Sequence, residues 1–440
     1  MKIQLPKNVK YIIDKLYDAG FEAYAVGGCV RDSLMGVAPK DWDITTNALP
    51  EDVKKIFSHT IDTGIKHGTV SVLLDKVIYE ITTYRIDGEY KDHRHPETVT
   101  YSRVLKEDLL RRDFTINAMA YNDKEGLVDE FGGQEDLKKG IIRCVGVPKD
   151  RFTEDALRIM RASRFAATLG FDIDEGTCEA MKELSGNLKY ISAERIQAEL
   201  IKTITSGNPA ELIRMYELGI TKVILPIWDE MMECEQHNPN HMYTVGMHTI
   251  KAMEGVHNDK ILRLTMLFHD SAKPECKTTG DDGVDHFKGH PAKSAENVKR
   301  ILRELKMDND TIDKVSTLVS IHDTRVEATP KAFRRFMNKV GEKAFPYFFE
   351  VQRADILAQS DYRREEKLAL VDAYENVYNE IIKAKDCFTL KDLAVNGRDL
   401  IERGINPGPD FKRILDEMLS DVIDNPEHND KTYLMSTYVK

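Results

Sequence analysis

The stretch VGGCVRDSLMGVAPKDWDITT, residues 26–46, decides how the N-terminal part of the chain folds. It predicts a short apolar strand, a Gly-Gly turn, a helical turn that opens with Arg31, a loop and a second strand. The second strand, predicted over 41–45, carries Asp41 and Asp43. Side chains two residues apart on a strand point to the same face, so these carboxylates can converge on one cation. Mg²⁺ takes oxygen ligands of this kind and is usually completed by waters and substrate phosphates.

The paired glycines Gly27 and Gly28 let the backbone approach a phosphate closely and offer it N–H groups. Together with the aspartates, they predict a site that transfers a nucleotide from a triphosphate. The alternative is a polar loop with two surface aspartates, which would be the better interpretation of an isolated Asp-x-Asp. The Gly-Gly-x-x-Arg-Asp run at this spacing favours the catalytic interpretation.

Length and composition indicate an ordinary soluble protein. The 440 residues, 41% of them hydrophobic and 31% charged, can form two to four domains. No run of about 18 apolar residues predicts a membrane-spanning helix, and the N-terminus predicts an amphipathic helix over 6–19 rather than a signal peptide. Six scattered cysteines without a CxxC pair indicate reduced thiols in a cytoplasm. The net charge of −11 argues against a broad basic surface, so an RNA partner should meet a confined basic groove.

The remainder of the N-terminal part predicts a β-rich region. Residues 69–74 and 77–83 alternate around Asp75-Lys76 and predict a hairpin. Glu80 on its second strand is a candidate third carboxylate beside the aspartates, with an exposed strand residue as the alternative. Residues 86–103 predict a mobile loop. Residues 109–121 predict a helix whose Arg111-Arg112 pair could donate to triphosphate oxygens.

From about residue 150 the pattern becomes helical. One helix is predicted over 151–171, with Thr153 as its N-cap. On that helix Asp155 and Arg158 share a face. A carboxylate that accepts from an amino group and a guanidinium that donates to a ring nitrogen match cytosine and adenine. Uracil and guanine present the opposite pattern. The alternative is a plain intrahelical salt bridge.

At this point the residues resemble the class II CCA-adding tRNA nucleotidyltransferases of the bacterial type that carries an HD domain. The resemblance rests on five motifs in order over nearly the whole chain. They are the opening stretch, RRDFTINAMAY (111–121), FGGQEDL (131–137), EDALRIMRASRFAATLGF (154–171) and ISAERIQAEL (191–200). Bacterial poly(A) polymerases share the first two motifs and are the alternative within the same family.

The resemblance implies an α+β fold, with a polymerase-beta-like mixed-sheet nucleotidyltransferase head followed by an all-α neck, body, HD domain and tail. The implied divisions are 1–145, 146–236, 237–365 and 366–440. Asp41 and Asp43 would hold catalytic Mg²⁺. The nucleotide would be bound by Gly28, Arg31, Arg112, Glu154, Asp155, Arg158, Arg161 and Arg164, with Asp155 and Arg158 on the base and Glu154 orienting them.

A histidine-rich stretch resembles the H…HD…D pattern of HD-domain metal sites. The residues are His248, His269, Asp270 and Asp355, with His290 and His322 extending the site to two metals. Such a site would take a divalent transition metal (Mn, Ni, Co or Fe) and hydrolyse phosphoesters such as 2′,3′-cyclic phosphates or 2′-phosphates at RNA ends. The alternative is a degenerate domain that serves as scaffold. The sequence HDSAKP departs from the family pattern after the Asp, but no candidate ligand is lost.

The implied function is the addition of CMP, CMP and AMP, from CTP and ATP, to the 3′ end of tRNA in the cytoplasm, with no membrane partner. In the family that the chain resembles, relatives that add only CC have a shortened loop at 86–103; this loop is full, with Asp92 and Arg94 present, so the resemblance favours complete CCA addition. The alternatives are a poly(A) polymerase, a partial enzyme that adds only CC or only A, and a non-catalytic RNA-binding scaffold. The oligomeric state stays open.

Overall fold

The computed structural model describes residues 2–65, 68–88 and 99–439. The predicted loop residues Asp92 and Arg94 lie outside these ranges. The chain divides into two compact units, residues 1–226 and 227–440, and each is described by itself. Among the described residues, no helix has the length and apolar character needed to cross a membrane.

The first unit contains eleven strands among its described residues. They are β1 (Ala23–Val26), β2 (Ile44–Thr46), β3 (Thr60–Gly64), β4 (Thr69–Leu74), β5 (Val77–Thr83), β6 (Arg85–Asp87), β7 (Val99–Tyr101), β8 (Met119–Asn122), β9 (Gly126–Asp129), β10 (Ile141–Ile142) and β11 (Asp172–Ile173). Seven of them form a mixed sheet in the order β3-β4-β5-β2-β1-β8-β9, in which β2 and β5 are the parallel pair. The predicted hairpin is confirmed, because β4 and β5 turn at Asp75 and Lys76 with φ of 51° and 66°.

The helices of this unit are α1 (Lys7–Asp18), α2 (Gly28–Leu34), α3 (Pro50–Ile56), α4 (Leu105–Leu110), α5 (Gly133–Lys139), α6 (Pro148–Glu154), α7 (Leu157–Leu169), α8 (Glu175–Leu184), α9 (Ala193–Ile204), α10 (Glu211–Glu217) and α11 (Thr221–Ile224). The apolar stripe of α1, with Ile12 and Leu16 fully buried, packs with Ala25 and Ile44 of the sheet in one core. This core supports the strands whose ends carry the candidate site.

The helix predicted over 109–121 is wrong. Helix α4 ends at Leu110, a single 3-10 turn spans Thr115–Asn117, and the apolar run from Met119 forms β8. All four residues of β8 are buried, since the strand lies inside the sheet between β1 and β9. A strand that is covered on both faces gives a continuous apolar run instead of an alternating pattern. A short run of this kind is equally typical of a buried helix segment, so periodicity did not separate the two here.

The single helix predicted over 151–171 is also wrong, because α6 ends at Glu154 and α7 begins at Leu157. Asp155 has an extended backbone, with φ −138° and ψ 102°. Thr153 is not an N-cap, since its hydroxyl donates to the carbonyl of Lys149 in the preceding turn. The predicted end at Gly170 is confirmed by its left-handed conformation, φ 69°.

The second unit is helical, as predicted. Its helices are α12 (Pro226–Glu233), α13 (Val245–Glu254), α14 (Lys260–Phe268), α15 (Lys273–Cys276), α16 (His290–Glu304), α17 (Asn309–Ile321), α18 (Pro330–Val340), α19 (Phe348–Ala358), α20 (Arg364–Ala384), α21 (Gly397–Glu402), α22 (Pro409–Asp424) and α23 (Lys431–Tyr438). Two short strands, β12 (Thr278–Thr279) and β13 (Asp285–His286), pair with each other. The buried guanidinium of Arg334 joins α18 to α22 by donating to the carbonyl of Ile423 at 2.7 Å.

Candidate functional site

Asp41 and Asp43 lie in the segment that enters β2 rather than within the strand itself, which begins at Ile44. The carbonyl of Asp43 accepts from the N–H of Val26 at 3.0 Å, so the segment continues the pairing with β1. The surrounding protein desolvates the Asp43 carboxylate and Asp41 repels its charge, and together they raise its pKa against the opposing effect of Arg112. Two carboxylates brought close together at one strand end supply the oxygen ligands that a divalent cation takes, so the residues present fit Mg²⁺.

Gly27 provides the close approach between the turn and the arginines. Its φ is +83°, and a Cβ atom there would lie 3.1 Å from Nη1 of Arg112. Any other residue would therefore be strained and would displace that guanidinium. Gly28 begins α2, and Arg31 follows one turn later.

Arg31 is buried and held on two sides. Its Nη1 donates to Oδ1 of Asn117 at 2.7 Å, and its Nη2 donates to Oδ1 of Asp32 at 2.6 Å. Asn117 in turn donates to Oδ1 of Asp113 at 3.1 Å. Helix α2 is thus joined by hydrogen bonds to the motif at 111–121, which also contains Arg111 and Arg112.

Asp108 anchors the arginine pair and was missed by the sequence analysis. Its carboxylate is fully buried, accepts from Arg111 Nη2 at 2.6 Å and from Arg112 Nη2 at 3.3 Å, and also accepts from the hydroxyl of Thr45 on β2. Burial raises the pKa of Asp108, but the two guanidinium groups outweigh it and hold the pKa below its usual value. The strand that follows Asp43 and the two arginines therefore share one buried anion.

The break between α6 and α7 separates the predicted base-binding pair. Arg158 donates to Oε2 of Glu154 at 2.6 Å and to the carbonyl of Arg111 at 2.9 Å. Asp155 accepts instead from Nη2 of Arg195 at 2.8 Å and from the N–H of Leu157 at 3.0 Å. The two residues therefore do not share the face of one helix as predicted, and each is held by an acidic or basic partner of its own.

The two further arginines of α7 also have acidic partners. Arg161 donates to Oδ2 of Asp113 at 2.5 Å, and Arg164 donates to Oε2 of Glu199 at 2.6 Å. Burial raises the pKa of Asp113, but Arg161 and further hydrogen bonds lower it to about 2. Like Asp108, these acidic partners and Arg195 were missed. The partners in each pair are 35 to 48 residues apart, so no local spacing pattern predicts the pairing. The one available signal was that these residues lie within the RRD and SAERIQAEL motifs.

A cavity of about 220 Å³ unites most of these groups. It is lined by Arg111, Arg112, Asp113, Asp155, Arg158 and Arg161. Glu80 is exposed and pairs with Ser71 across the hairpin. Ile44 pairs with Ile81 in parallel register, so Asp43 and Glu80 each lie one residue before this pair. The role of Glu80 as a third carboxylate beside the aspartates stays a prediction.

The second unit brings the predicted histidine-rich residues together. The ligand atoms of His248, His269 and Asp270 lie within 4.8 Å of one another, and so do those of Asp270, His290 and His322. Asp355 completes the first group, with Oδ1 3.0 Å from Nε2 of His248. Asp270 belongs to both groups. The arrangement fits two divalent metals joined by one carboxylate.

The imidazole rings are oriented for this role. Nδ1 of His248, His269, His290 and His322 lies 2.7 to 3.2 Å from the backbone carbonyl oxygens of Ala358, Met266, Phe287 and Val319, respectively. A carbonyl oxygen only accepts, so each Nδ1 carries a proton and each Nε2 is the ring nitrogen left to bind a metal. Nε2 of His248 lies 3.1 Å from Nε2 of His269, which places both nitrogens within reach of one bound cation.

The turn after Asp270 packs despite its departure from the family pattern. The N–H of Ala272 donates to Oγ of Ser294 at 3.0 Å, and Ser271 is buried. A cavity of about 500 Å³ opens on the metal-binding groups. Its wall includes four cationic side chains, which are Lys273, Lys288, Arg325 and Lys367.

Comparison with known proteins identifies the class. The family model of the poly A polymerase head domain matches residues 23–143, that of the probable RNA and SrmB-binding site of polymerase A matches 170–232, and that of the putative tRNA nucleotidyltransferase domain 2 matches 290–438.

Among curated relatives, the CCA-adding enzyme of Ligilactobacillus salivarius is 33% identical over 98% of this chain and 95% of its own length. That of Leuconostoc mesenteroides is 50% identical over 49% of this chain and 55% of the relative. The solved Bacillus stearothermophilus CCA-adding enzyme in complex with CTP is 29% identical, with a TM-score of 0.67 over 98% of both chains. The fold and the site thus define a nucleotidyltransferase with a polymerase-beta-like head. The chain belongs to the CCA-adding enzymes, a family of tRNA nucleotidyltransferases.

Proposed function

We propose that this protein adds CMP, CMP and AMP in turn, from CTP and ATP, to the 3′ end of tRNA without a nucleic-acid template. The observation that carries the proposal is the cavity on which Arg112, Asp155, Arg158 and Arg161 converge. Arg112, which lines this cavity, also approaches Gly27 of the turn that precedes the two aspartates, which supports a cavity that works together with them. The names of the relatives support the same activity.

In this proposal Asp41 and Asp43 hold the catalytic Mg²⁺. When bound, the metal lowers the pKa of the attacking 3′-hydroxyl and neutralises charge on the departing pyrophosphate. The chain itself contributes position and charge. Arg31 and Arg112 bind triphosphate oxygens, with Gly28 at the turn, while Asp108 and Asn117 keep the two guanidinium groups in place.

The base is chosen by Asp155 and Arg158 from the two sides of the helix break. Asp155 accepts from the exocyclic amino group of cytosine or adenine, and Arg158 donates to the adjacent ring nitrogen. Glu154 orients Arg158, and Arg195 orients Asp155. Uracil and guanine would place a carbonyl against the carboxylate and an N–H against the guanidinium.

The proposed organisation keeps a head at 1–145, a neck and body at 146–236, an HD domain at 237–365 and a tail at 366–440. The body and the tail are each proposed to contact tRNA. We place the protein in the cytoplasm, because tRNA is its substrate and the described cysteines form no disulfide.

The test uses a tRNA transcript that ends before CCA, with labelled CTP, ATP or both, and products sized at single-nucleotide resolution. CTP alone should add two nucleotides, and CTP plus ATP three. Asp43→Ala should abolish both CMP and AMP transfer. Long adenylate products would indicate a poly(A) polymerase, products that stop at CC or need a CC end would indicate a partial enzyme, and retained transfer by Asp43→Ala would overturn the assignment of the metal site.

A second activity is favoured by the histidine cluster of the second unit. We propose that His248, His269, Asp270 and Asp355 hold one transition metal, that Asp270, His290 and His322 hold another, and that the site hydrolyses phosphoesters at RNA ends. The grouping of four Nε2 atoms around two carboxylates carries this proposal. The cationic wall of the cavity would accept the phosphates of an RNA end.

Metal content and hydrolysis test this activity separately from nucleotide addition. The purified wild type should hold Mn, Ni, Co or Fe and hydrolyse a 2′,3′-cyclic nucleotide, whereas His269→Ala and Asp270→Ala should lose both. His257→Ala is the matched control, since this exposed histidine pairs with Glu350 away from the cluster. A wild type that binds none of these metals and does not hydrolyse the substrate would leave the domain as a scaffold.

A further inference from the structure

One aromatic ring meets three of the arginines assigned to the nucleotide pocket. Phe165 lies on α7 and is 5% exposed. The guanidinium carbon of Arg164 is 3.6 Å from its ring centroid, that of Arg31 is 5.1 Å away and that of Arg161 is 5.4 Å away. All three distances fall within the range of cation–π attraction, about 6 Å.

The three arginines arrive from different positions and have separate acidic partners. Arg31 comes from the Gly-Gly helix α2 and pairs with its neighbour Asp32. Arg161 and Arg164 come from α7 and pair with acidic residues of two other segments. The ring of Phe165 is the contact that all three share.

Bringing three like charges to one ring is costly in a partly desolvated site. Burial lowers the pKa of Arg164, and the charge of Arg161 lowers it further. The negative face of an aromatic ring attracts cations without adding a formal charge that would repel a triphosphate. A fourth carboxylate at this position would stabilise the arginines but also oppose the ligand. An aromatic ring therefore stabilises the arginines without opposing the binding of the triphosphate.

The ring is itself fixed. Phe114, which follows the Arg111-Arg112-Asp113 run, packs its ring against Phe165 edge to face, with centroids 5.8 Å apart and planes at 82°. This geometry is favourable for two aromatic rings and sets the orientation of Phe165. The motif at 111–121 therefore contacts α7 in two ways, through Phe114 on the ring of Phe165 and through Asp113 on Arg161.

We propose that Phe165 is a positioning residue for nucleotide binding, which holds Arg31, Arg161 and Arg164 in their binding arrangement through its π face. This rests on the proposed role of those arginines in the nucleotide pocket. Phe165 acts through the arginines rather than on the reacting atoms. Its loss should raise the dissociation constant and the KM for CTP and ATP more than it lowers kcat.

The test replaces Phe165 in the full-length protein by phenylalanines carrying one to four fluorine atoms, which weaken the π face while keeping the shape of the ring nearly constant. CTP binding is measured by calorimetry in the presence of Mg²⁺, and thermal unfolding is recorded for each form. The dissociation constant should rise stepwise with each fluorine, to about tenfold for the most fluorinated ring. The unfolding temperature should stay nearly constant.

The same series at Phe152 is the matched control. Phe152 is a fully buried ring on the neighbouring helix α6, and no cation lies over it in the part of the chain that the structure describes. Fluorination there should leave CTP affinity unchanged. Phe165→Leu should weaken CTP binding as the fluorinated ring does; should that variant fail to fold, the fluorinated series decides the matter.

Two results separate this inference from the assignment on which it rests. A dissociation constant that does not change along the fluorine series at Phe165, while Arg164→Gln and Arg161→Gln weaken CTP binding, would overturn the role of the ring alone. Wild-type CTP affinity in both arginine variants would overturn the assignment of the pocket.

Discussion

Replacing Arg195 by Gln should reduce catalytic efficiency with both CTP and ATP. The guanidinium of Arg195 donates to both carboxylate oxygens of Asp155, at 2.8 and 3.3 Å, and both side chains are less than a quarter exposed. Without it, the remaining hydrogen bond to Asp155 comes from the N–H of Leu157. In the proposed base-binding arrangement, the carboxylate would then rotate away from the amino group of the base.

The size of the effect follows from the geometry. A charge-assisted hydrogen bond contributes about 1.5 to 3 kcal/mol, and partial exposure of this pair places it at the lower end. A loss of about 1.5 kcal/mol corresponds to roughly a tenfold fall in kcat/KM. Discrimination against UTP and GTP should weaken as well, since a misplaced carboxylate rejects the wrong base less effectively.

The assay measures kcat/KM for CTP on tRNA lacking CCA and for ATP on tRNA ending in CC, with UTP and GTP as competitors. Arg214→Gln is the matched control, because that arginine pairs with the exposed Asp172 outside the pocket. The double variant Arg195→Gln/Asp155→Asn should lose less than the sum of the single losses. Unchanged efficiency and unchanged discrimination in Arg195→Gln would refute the reasoning.

Three further predictions concern the acidic side chains of the first unit. The folded-state pKa of Asp113, about 2, lies below the ordinary 3.8. The pairing of Asp113 with Arg161 therefore contributes about 2 kcal/mol to the free energy of unfolding above pH 4, and this contribution is lost as the pH falls towards 2. In denaturant titrations the stability difference between wild type and Asp113→Asn should shrink over that interval, and a constant difference would contradict this. Asp108→Asn should lower the free energy of unfolding by about 3 kcal/mol, because it removes the buried anion that Arg111 and Arg112 share. Chemical denaturation at neutral pH measures this change. A loss under about 1 kcal/mol would show that the anion contributes little to stability. Glu80→Gln should reduce turnover about 100-fold if Glu80 assists the metal site, whereas near-normal turnover in the tRNA assay would make it an ordinary strand residue.

The sequence predicted the hairpin, the opening helix and the grouping of the histidines well, because these features depend on local turn chemistry, on periodicity or on a compact set of motifs. It failed where an apolar run was short, as in β8, and where a helix broke without a glycine or proline, as at Asp155. The acidic partners Asp108 and Glu199 could not be predicted, because pairing between distant segments leaves no periodic trace.

The matching of arginines with acidic groups determines the electrostatics of the pocket before any ligand arrives. Arg161 and Arg164 each have a carboxylate partner, and Arg111 and Arg112 share one. The pocket therefore generates only a weak long-range field, so the encounter rate with CTP should depend little on ionic strength. Several negative charges of a triphosphate would also exceed the local positive charge. Nucleotide affinity should consequently depend steeply on the concentration of the divalent cation that accompanies the nucleotide.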